Sequence, residues 1–250
     1  LHNRAFEARN VDAVYVPLQA EALAPFLEAL PALGLSGFSV TQPYKEEILP
    51  HLREVDAAAA LCGSVNTVVV HDGVMMGSTT DGVGVLGALK KRIDVKKRKV
   101  VMLGAGGAAR SAALSLVRKG ALLTVLARRP EQARELASAM GCAGGALEDL
   151  DRYTWDVLIN ATPLGSSLAP DETPVPAALH RKGAVVLDMV YDPLETRLLR
   201  EAHDAGCVIV DGLEMLLMQA TAQFETWTGQ EAPADVMREA AVFLAQGEGA

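Results

Sequence analysis

The stretch from Val100 to Ala112 constrains this chain more than any other. Val100-Val101-Met102-Leu103 reads as a buried strand, Gly104-Ala105-Gly106-Gly107 interrupts it, and Ala108-Ala109-Arg110-Ser111-Ala112 opens a helical pattern. Gly104-x-Gly106-x-x-Ala109 has a telling spacing. The first glycine permits a tight turn, the second lets a backbone approach a pyrophosphate, and the small third residue lets helix pack on strand. The unpaired N–H groups and positive dipole end of the helix then face the phosphates. Leu114, Leu116 and Val117 give that helix an apolar face, and Arg118-Lys119-Gly120 a regular stop. The glycine spacing alone also occurs in turns that bind nothing. The flanking strand and helix are what favour a dinucleotide.

The next strand, Leu122 to Ala127, refines the ligand. Its end is where an acidic residue would hold the ribose hydroxyls of NAD, yet Gly104 to Pro130 contains no Asp or Glu, and Arg128 and Arg129 stand there instead. Two guanidinium groups suit a 2′-phosphate by charge and by bidentate geometry, so the expected cofactor is NADP. The plain alternative is a pair of solvated surface arginines.

With 250 residues, half of them apolar, the chain can bury one large core or two modest ones. A net charge of −8 argues against nucleic acid or an anionic membrane as partner. The basic cluster from Lys90 to Lys99 precedes the fingerprint strand and reads as a solvated connection. Cys62, Cys142 and Cys207 are widely spaced, follow no metal-ligand pattern and suit reduced thiols in a cytoplasmic protein. No apolar run approaches the roughly 18 residues of a membrane span.

Before the fingerprint, strand patterns at Val11–Val16 and Gly37–Val40 alternate with helical ones at Ala20–Leu33, after Pro43 and at Asp56–Leu61. Two apolar strands around Asn66–His71 and Val74–Gly77 flank Asp72-Gly73, a hairpin signal. After it come a helix at Glu131–Met140, strands at Asp156–Ala161, Ala184–Asp188 and Cys207–Val210, a helix at Leu194–Ala205 and a long helix from Leu213 to Thr228. The expected fold class is α/β in two domains. Residues 1–81 form an N-terminal α/β substrate domain, completed by C-terminal helices within 213–250, and residues 82–212 form a doubly wound dinucleotide-binding domain. An active-site cleft between the two is expected.

A reductase needs a proton donor for the carbonyl that receives hydride. Lys45 sits in the first turn after a strand, an unusual place for a cation at a helix start. Asp81 reads equally well as an N-cap, and Asn66 as a turn residue. Spacing alone does not choose among them.

Several blocks taken together do. Ser39-Val40-Thr41-Gln42-Pro43-Tyr44-Lys45, Gly63-Ser64-Val65-Asn66-Thr67, Thr80-Asp81-Gly82, Gly104 through Arg110, Asn160-Ala161-Thr162-Pro163-Leu164-Gly165, Asp188-Met189-Val190-Tyr191 and Gly212-Leu213-Glu214-Met215-Leu216 through Gln219 together resemble the shikimate dehydrogenase family, in the family's order and over almost the whole chain. The resemblance implies reversible NADPH-dependent reduction of 3-dehydroshikimate to shikimate in aromatic amino-acid biosynthesis. It implies Lys45 as catalytic acid/base with Asp81 beside it, and Thr41, Asn66, Tyr191 and Gln219 as substrate contacts. Gly104, Ala105, Gly106, Gly107, Ala108 and Arg110 match the phosphate loop, and Arg128 and Arg129 the 2′-phosphate clamp. Asn160, Ala161 and Thr162 match the loop under the cofactor, and Met189 and Gly212 positions near the nicotinamide. No metal is implied.

The chain also departs from the family pattern. The family's first strand and its Ser-x-Ser segment would lie before Leu1, an expectation that goes with excision from a polypeptide fused to, or associated with, another enzyme of the pathway. The Asn usual before the arginine at the second strand end is Ala127 here. Two other readings remain: a quinate/shikimate dehydrogenase of relaxed specificity, and a non-catalytic nucleotide-binding regulatory module.

Overall fold

The structure, a computed structural model, describes residues 1–245. The chain divides into two compact units, Leu1–Thr80 with the residues from Gln219 onward, and Asp81–Met218.

The first unit begins with α1 (His2–Ala8), α2 (Leu23–Leu33), β1 (Gly37–Ser39), β2 (Glu54–Val55), α3 (Ala57–Cys62), β3 (Thr67–His71) and β4 (Val74–Ser78). The four strands form one sheet in the order β1-β3-β4-β2, antiparallel except for β2 beside β4. The hairpin expected at Asp72-Gly73 is there, and both residues take positive φ, as a tight turn matching strand twist requires. Leu23, Val40, Ile48, Ala59, Val65 and Val68 form one core cluster of this unit.

Two expected elements differ. Val11–Val16 joins no sheet: the Asn3 side chain takes both main-chain groups of Tyr15, donating to its carbonyl at 3.0 Å and accepting from its N–H at 2.6 Å. The segment after Pro43 is a series of turns, because Lys45 O accepts from Val65 N at 2.9 Å instead of closing a helical ring.

The second unit contains α4 (Asp81–Lys90), β5 (Lys99–Leu103), α5 (Gly107–Arg118), β6 (Leu122–Ala127), α6 (Pro130–Met140), β7 (Ala143–Ala146), β8 (Val157–Asn160), β9 (Val185–Asp188), α7 (Arg197–Asp204) and β10 (Val208–Val210). Its six strands are all parallel, in the order β10-β9-β8-β5-β6-β7. That is the doubly wound order, with its switch point between β5 and β8. Buried apolar side chains line these strands, as a parallel sheet covered on both faces demands. The edge strand β7 was not legible in the sequence. It is Ala-Gly-Gly-Ala because α6 lies on it; a Cβ on Gly144 would stand 2.6 Å from Ala133 O.

Helix α8 (Gly212–Thr228) starts in the second unit and, from Gln219, belongs to the first; α9 (Ala234–Ala245) follows. Phe224 is fully buried with its ring 5.7 Å from that of Phe6, and α9 packs on α1. Trp227 Nε1 donates to Val68 O at 3.0 Å, which ties α8 to the hairpin. No described helix is long and apolar enough to cross a membrane.

The Trp227 contact leaves no room on β1: a Cβ on Gly37 would meet Trp227 Nε1 and Val68 O, each at 2.8 Å. Gly37→Ala is expected to lower unfolding stability by about 1–3 kcal/mol. Urea denaturation reads this as a lower midpoint at constant slope. An unchanged midpoint would show that both the indole and the β3 backbone at Val68 give way freely.

Candidate active site

In the second unit the site is built at the carboxyl ends of the parallel strands. Gly104 takes φ +109, a conformation that side-chain-bearing residues rarely adopt, and a Cβ there would stand 2.8 Å from Ala161 O. Its N–H donates to Leu126 O at 2.8 Å, and Ala161 N donates to Leu103 O at 2.8 Å, so the turn is joined to both neighbouring strands. Gly106 is the N-cap of α5, offers no side chain to the first turn, and has open space where a Cβ would be. No side chain caps the backbone donors at this helix start, which leaves them for a phosphate, as a cradle requires.

Arg128 and Arg129 are exposed directly beyond β6, beside that turn. Arg110, on the first turn of α5, lies 3.8 Å from Glu135. These residues fit a phosphorylated dinucleotide: a bare helix start, glycines where side chains would intrude, and two cations at the second strand end.

Asp81 is the buried first residue of α4. Its position relative to the cradle is set by tight helix packing, since Gly82 N donates to Ser111 Oγ of α5 at 2.9 Å and a Cβ on Gly82 would run into Ser115 Oγ.

Asn160 ends β8 beside Asp188, which ends β9, and the two are register partners. Asn160 Nδ2 donates to Asp188 Oδ1 at 2.9 Å and to Leu164 O at 3.1 Å. That fixes the amide so that its oxygen accepts from Thr162 N at 3.0 Å and Thr162 Oγ1 at 2.7 Å. Asp188 also accepts from Val190 N at 3.0 Å and from Thr196 Oγ1 at 2.7 Å. Burial outweighs these three hydrogen bonds and pushes the carboxyl up to about 6. Met189 is half-buried next to it, and Tyr191 is 53% exposed. Gly212 has no room for a side chain, because a Cβ would run into Val190 O.

The polar centre of the first unit is Asn66, which is 2% exposed. Its Nδ2 donates to Thr80 Oγ1 and to Gln219 Oε1, both at 3.0 Å. Its Oδ1 accepts from Thr80 N at 2.9 Å and Thr67 Oγ1 at 2.8 Å. Gln223, one turn after Gln219, donates to Asn66 O at 3.2 Å and Thr67 Oγ1 at 3.1 Å. Its oxygen accepts from Ser39 Oγ at 3.3 Å, which in turn accepts from Tyr15 OH at 2.9 Å. Thr41 is exposed and Lys45 half-buried on the turns that follow β1.

Of the expected substrate contacts, the structure hydrogen-bonds Asn66 to Gln219 and carries Thr41 in the same unit, where Lys45, the expected acid/base, also lies; Tyr191 belongs to the other. Sequence reasoning did not single out Gln223, Ser39, Tyr15, Asp188 or Thr196. A polar residue closing an apolar strand was the available signal for Asp188.

A doubly wound sheet with a phosphate-type glycine turn at its switch point, joined to a second α/β unit with a polar centre, defines a two-unit dinucleotide-binding protein. Similarity to known proteins narrows the class. Residues 1–68 match the shikimate dehydrogenase substrate binding domain, residues 87–190 the shikimate / quinate 5-dehydrogenase family, and residues 212–242 the shikimate 5′-dehydrogenase C-terminal domain. The chain is 42% identical to a shikimate dehydrogenase (NADP(+)) of Pyrococcus abyssi, over 95% of this chain and 89% of that one. Shikimate 5-dehydrogenase from Thermus thermophilus, solved with NADP(H) and shikimate, is 36% identical with TM-score 0.86 over 96% of this chain and 92% of that one. Quinate dehydrogenase from Corynebacterium glutamicum, solved with NAD, is 31% identical with TM-score 0.84 over 96% and 92%. The chain belongs to the shikimate dehydrogenase family.

The raised Asp188 carboxyl makes a signed prediction. Between the unfolded value near 3.8 and the folded value of about 6, the folded chain holds more protons. The contribution of this residue to stability therefore grows as pH falls through that window and vanishes for a side chain that cannot titrate. The unfolding free energy of the wild type minus that of Asp188→Asn is expected to rise by up to about 3 kcal/mol from pH 7 to pH 4. A difference that does not change with pH would contradict the burial argument.

Proposed function

We propose that this chain catalyses the reversible NADPH-dependent reduction of 3-dehydroshikimate to shikimate, the oxidoreductase step of aromatic amino-acid biosynthesis. The observation that carries this reading is 42% identity to a shikimate dehydrogenase (NADP(+)) across 95% of the chain. A cytoplasmic setting goes with it, in keeping with three cysteines that follow no disulfide or metal pattern.

In this reading the main-chain N–H groups of Gly104 to Ala108 hold the pyrophosphate and Arg110 adds charge beside it. Arg128 and Arg129 take the 2′-phosphate. Asn160, Ala161 and Thr162 run under the dinucleotide, and Met189 and Gly212 border its nicotinamide end, where the bound cofactor supplies hydride. Lys45 protonates the oxygen that becomes an alkoxide as hydride arrives, and Asp81 is its partner in proton handling. Thr41, Asn66, Tyr191 and Gln219 orient the substrate through its hydroxyl and carboxylate groups. The amide-rich centre around Asn66 suits that role, because its side chains hold each other in place and leave little ordering for the substrate to impose.

Two variants test the reading. Lys45→Ala is expected to lower kcat by about 100- to 10,000-fold while leaving the Kd of NADP+ within a few-fold. Turnover that survives the change would remove Lys45 from the mechanism. Arg128→Ala combined with Arg129→Ala is expected to weaken NADP+ far more than NAD+, because only NADP+ carries the extra phosphate. Equal losses for the two would show that the arginines do not clamp it.

A further inference from the structure

The least expected group in the parallel-sheet unit is the carboxyl of Asp188. It is fully buried at the end of an otherwise apolar strand, with no charged partner among its hydrogen bonds. A buried carboxylate is a poor choice for stability alone; an apolar side chain closing the strand would avoid its desolvation.

Its partners give it another use. Oδ1 receives Asn160 Nδ2 and Val190 N, and Oδ2 receives Thr196 Oγ1. These donors come from three different pieces of chain: the end of β8, the turn after β9 and the N-cap of α7. Where the strands end, main-chain groups lose their ladder partners and must be paired some other way. Asn160, oriented by Asp188, pairs those of Thr162 and Leu164, and Asp188 itself pairs that of Val190. The Val190 backbone in turn abuts Gly212, where α8 begins.

We propose that Asp188 is a positioning residue for the cofactor. With Thr196 behind it and Asn160 in front, it sets the 160–165 and 188–191 backbones against which the nicotinamide end is received. This rests on the cofactor reading above. The 160–165 backbone also lies against the glycine turn, where a Cβ on Gly104 would stand 2.8 Å from Ala161 O. None of the network's hydrogen bonds reaches the arginine pair, so it acts on the pyrophosphate and nicotinamide side of the dinucleotide and not on its 2′-phosphate.

Thr196 is the cleanest handle, since it contacts Asp188 and the first turn of α7, where Leu199 N donates to its hydroxyl at 3.3 Å. Thr196→Val keeps the shape and removes the hydroxyl; Thr196→Ser keeps the hydroxyl. Isothermal titration calorimetry, well below the thermal midpoint of each protein, would measure NADP+ and adenosine 2′,5′-bisphosphate, a fragment that has no nicotinamide. Thr196→Val is expected to weaken NADP+ about three- to tenfold and leave the fragment unchanged, with Thr196→Ser restoring NADP+. Asp188→Asn, which places an amide where a carboxylate accepts three donors, is expected to show the same selective loss and serves if Thr196→Val does not fold.

Unchanged NADP+ affinity in both variants, or equal losses for NADP+ and the fragment, would reduce the network to a structural role and overturn the proposal. Failure of the wild type to bind NADP+ would instead sink the cofactor reading itself.

Discussion

The second unit depends on one close approach of two backbones. Where β5 and β8 end, Gly104 passes so near Ala161 O that a Cβ would stand 2.8 Å from it, and the chain turns at φ +109. With Leu103, Gly104 and Ala161 hydrogen-bonded across the strand ends, the turn cannot relax outward. It must deliver the chain directly into α5 with the helix start bare. A side chain at Gly104 would cost both the strained turn and the strand-end pairing. The open N–H groups that recommend this turn as a phosphate cradle are thus a consequence of sheet geometry.

The two units handle buried polarity differently. In the first, the polar centre is assembled from neutral groups, the Asn66, Gln219 and Gln223 amides with the hydroxyls of Thr67 and Thr80, each of which can both donate and accept. Such a centre needs no desolvated charge and suits recognition of a polyhydroxylated ligand. In the second, a carboxylate collects donors from three chain segments and is kept largely dry, at the cost of a proton affinity raised to about 6. Amides build a surface to be read, and the carboxylate builds a joint.

How legible this was follows from the range of the interactions involved. The fingerprint turn, the strands on either side of it and the hairpin at Asp72-Gly73 are governed by neighbours in sequence, and local pattern found them. Strand β7 was missed because its Ala-Gly-Gly-Ala sequence answers to the overlying α6 and carries no apolar period of its own. The strand expected at Val11–Val16 has the right composition, but its main chain is claimed by the side chain of Asn3. The turns at Lys45 have the same kind of cause, a carbonyl taken by Val65. In the site, Asn66 reads from its neighbours as a turn residue as readily as a site residue, and Gln219 comes only from family resemblance, since their hydrogen bond spans 153 positions of sequence. Asp188 lay in plain view at a strand end, yet its partners at 160, 190 and 196 assemble only in the fold.

The central claim is that this chain exchanges hydride between NADP and the shikimate ring. Nicotinamide absorbance, followed with the wild-type chain in four pairings of shikimate or quinate with NADP+ or NAD+, tests it most directly. The highest kcat/KM is expected for shikimate with NADP+. Turnover confined to quinate with NAD+, or none in any pairing by a folded chain that binds NADP+, would contradict the claim.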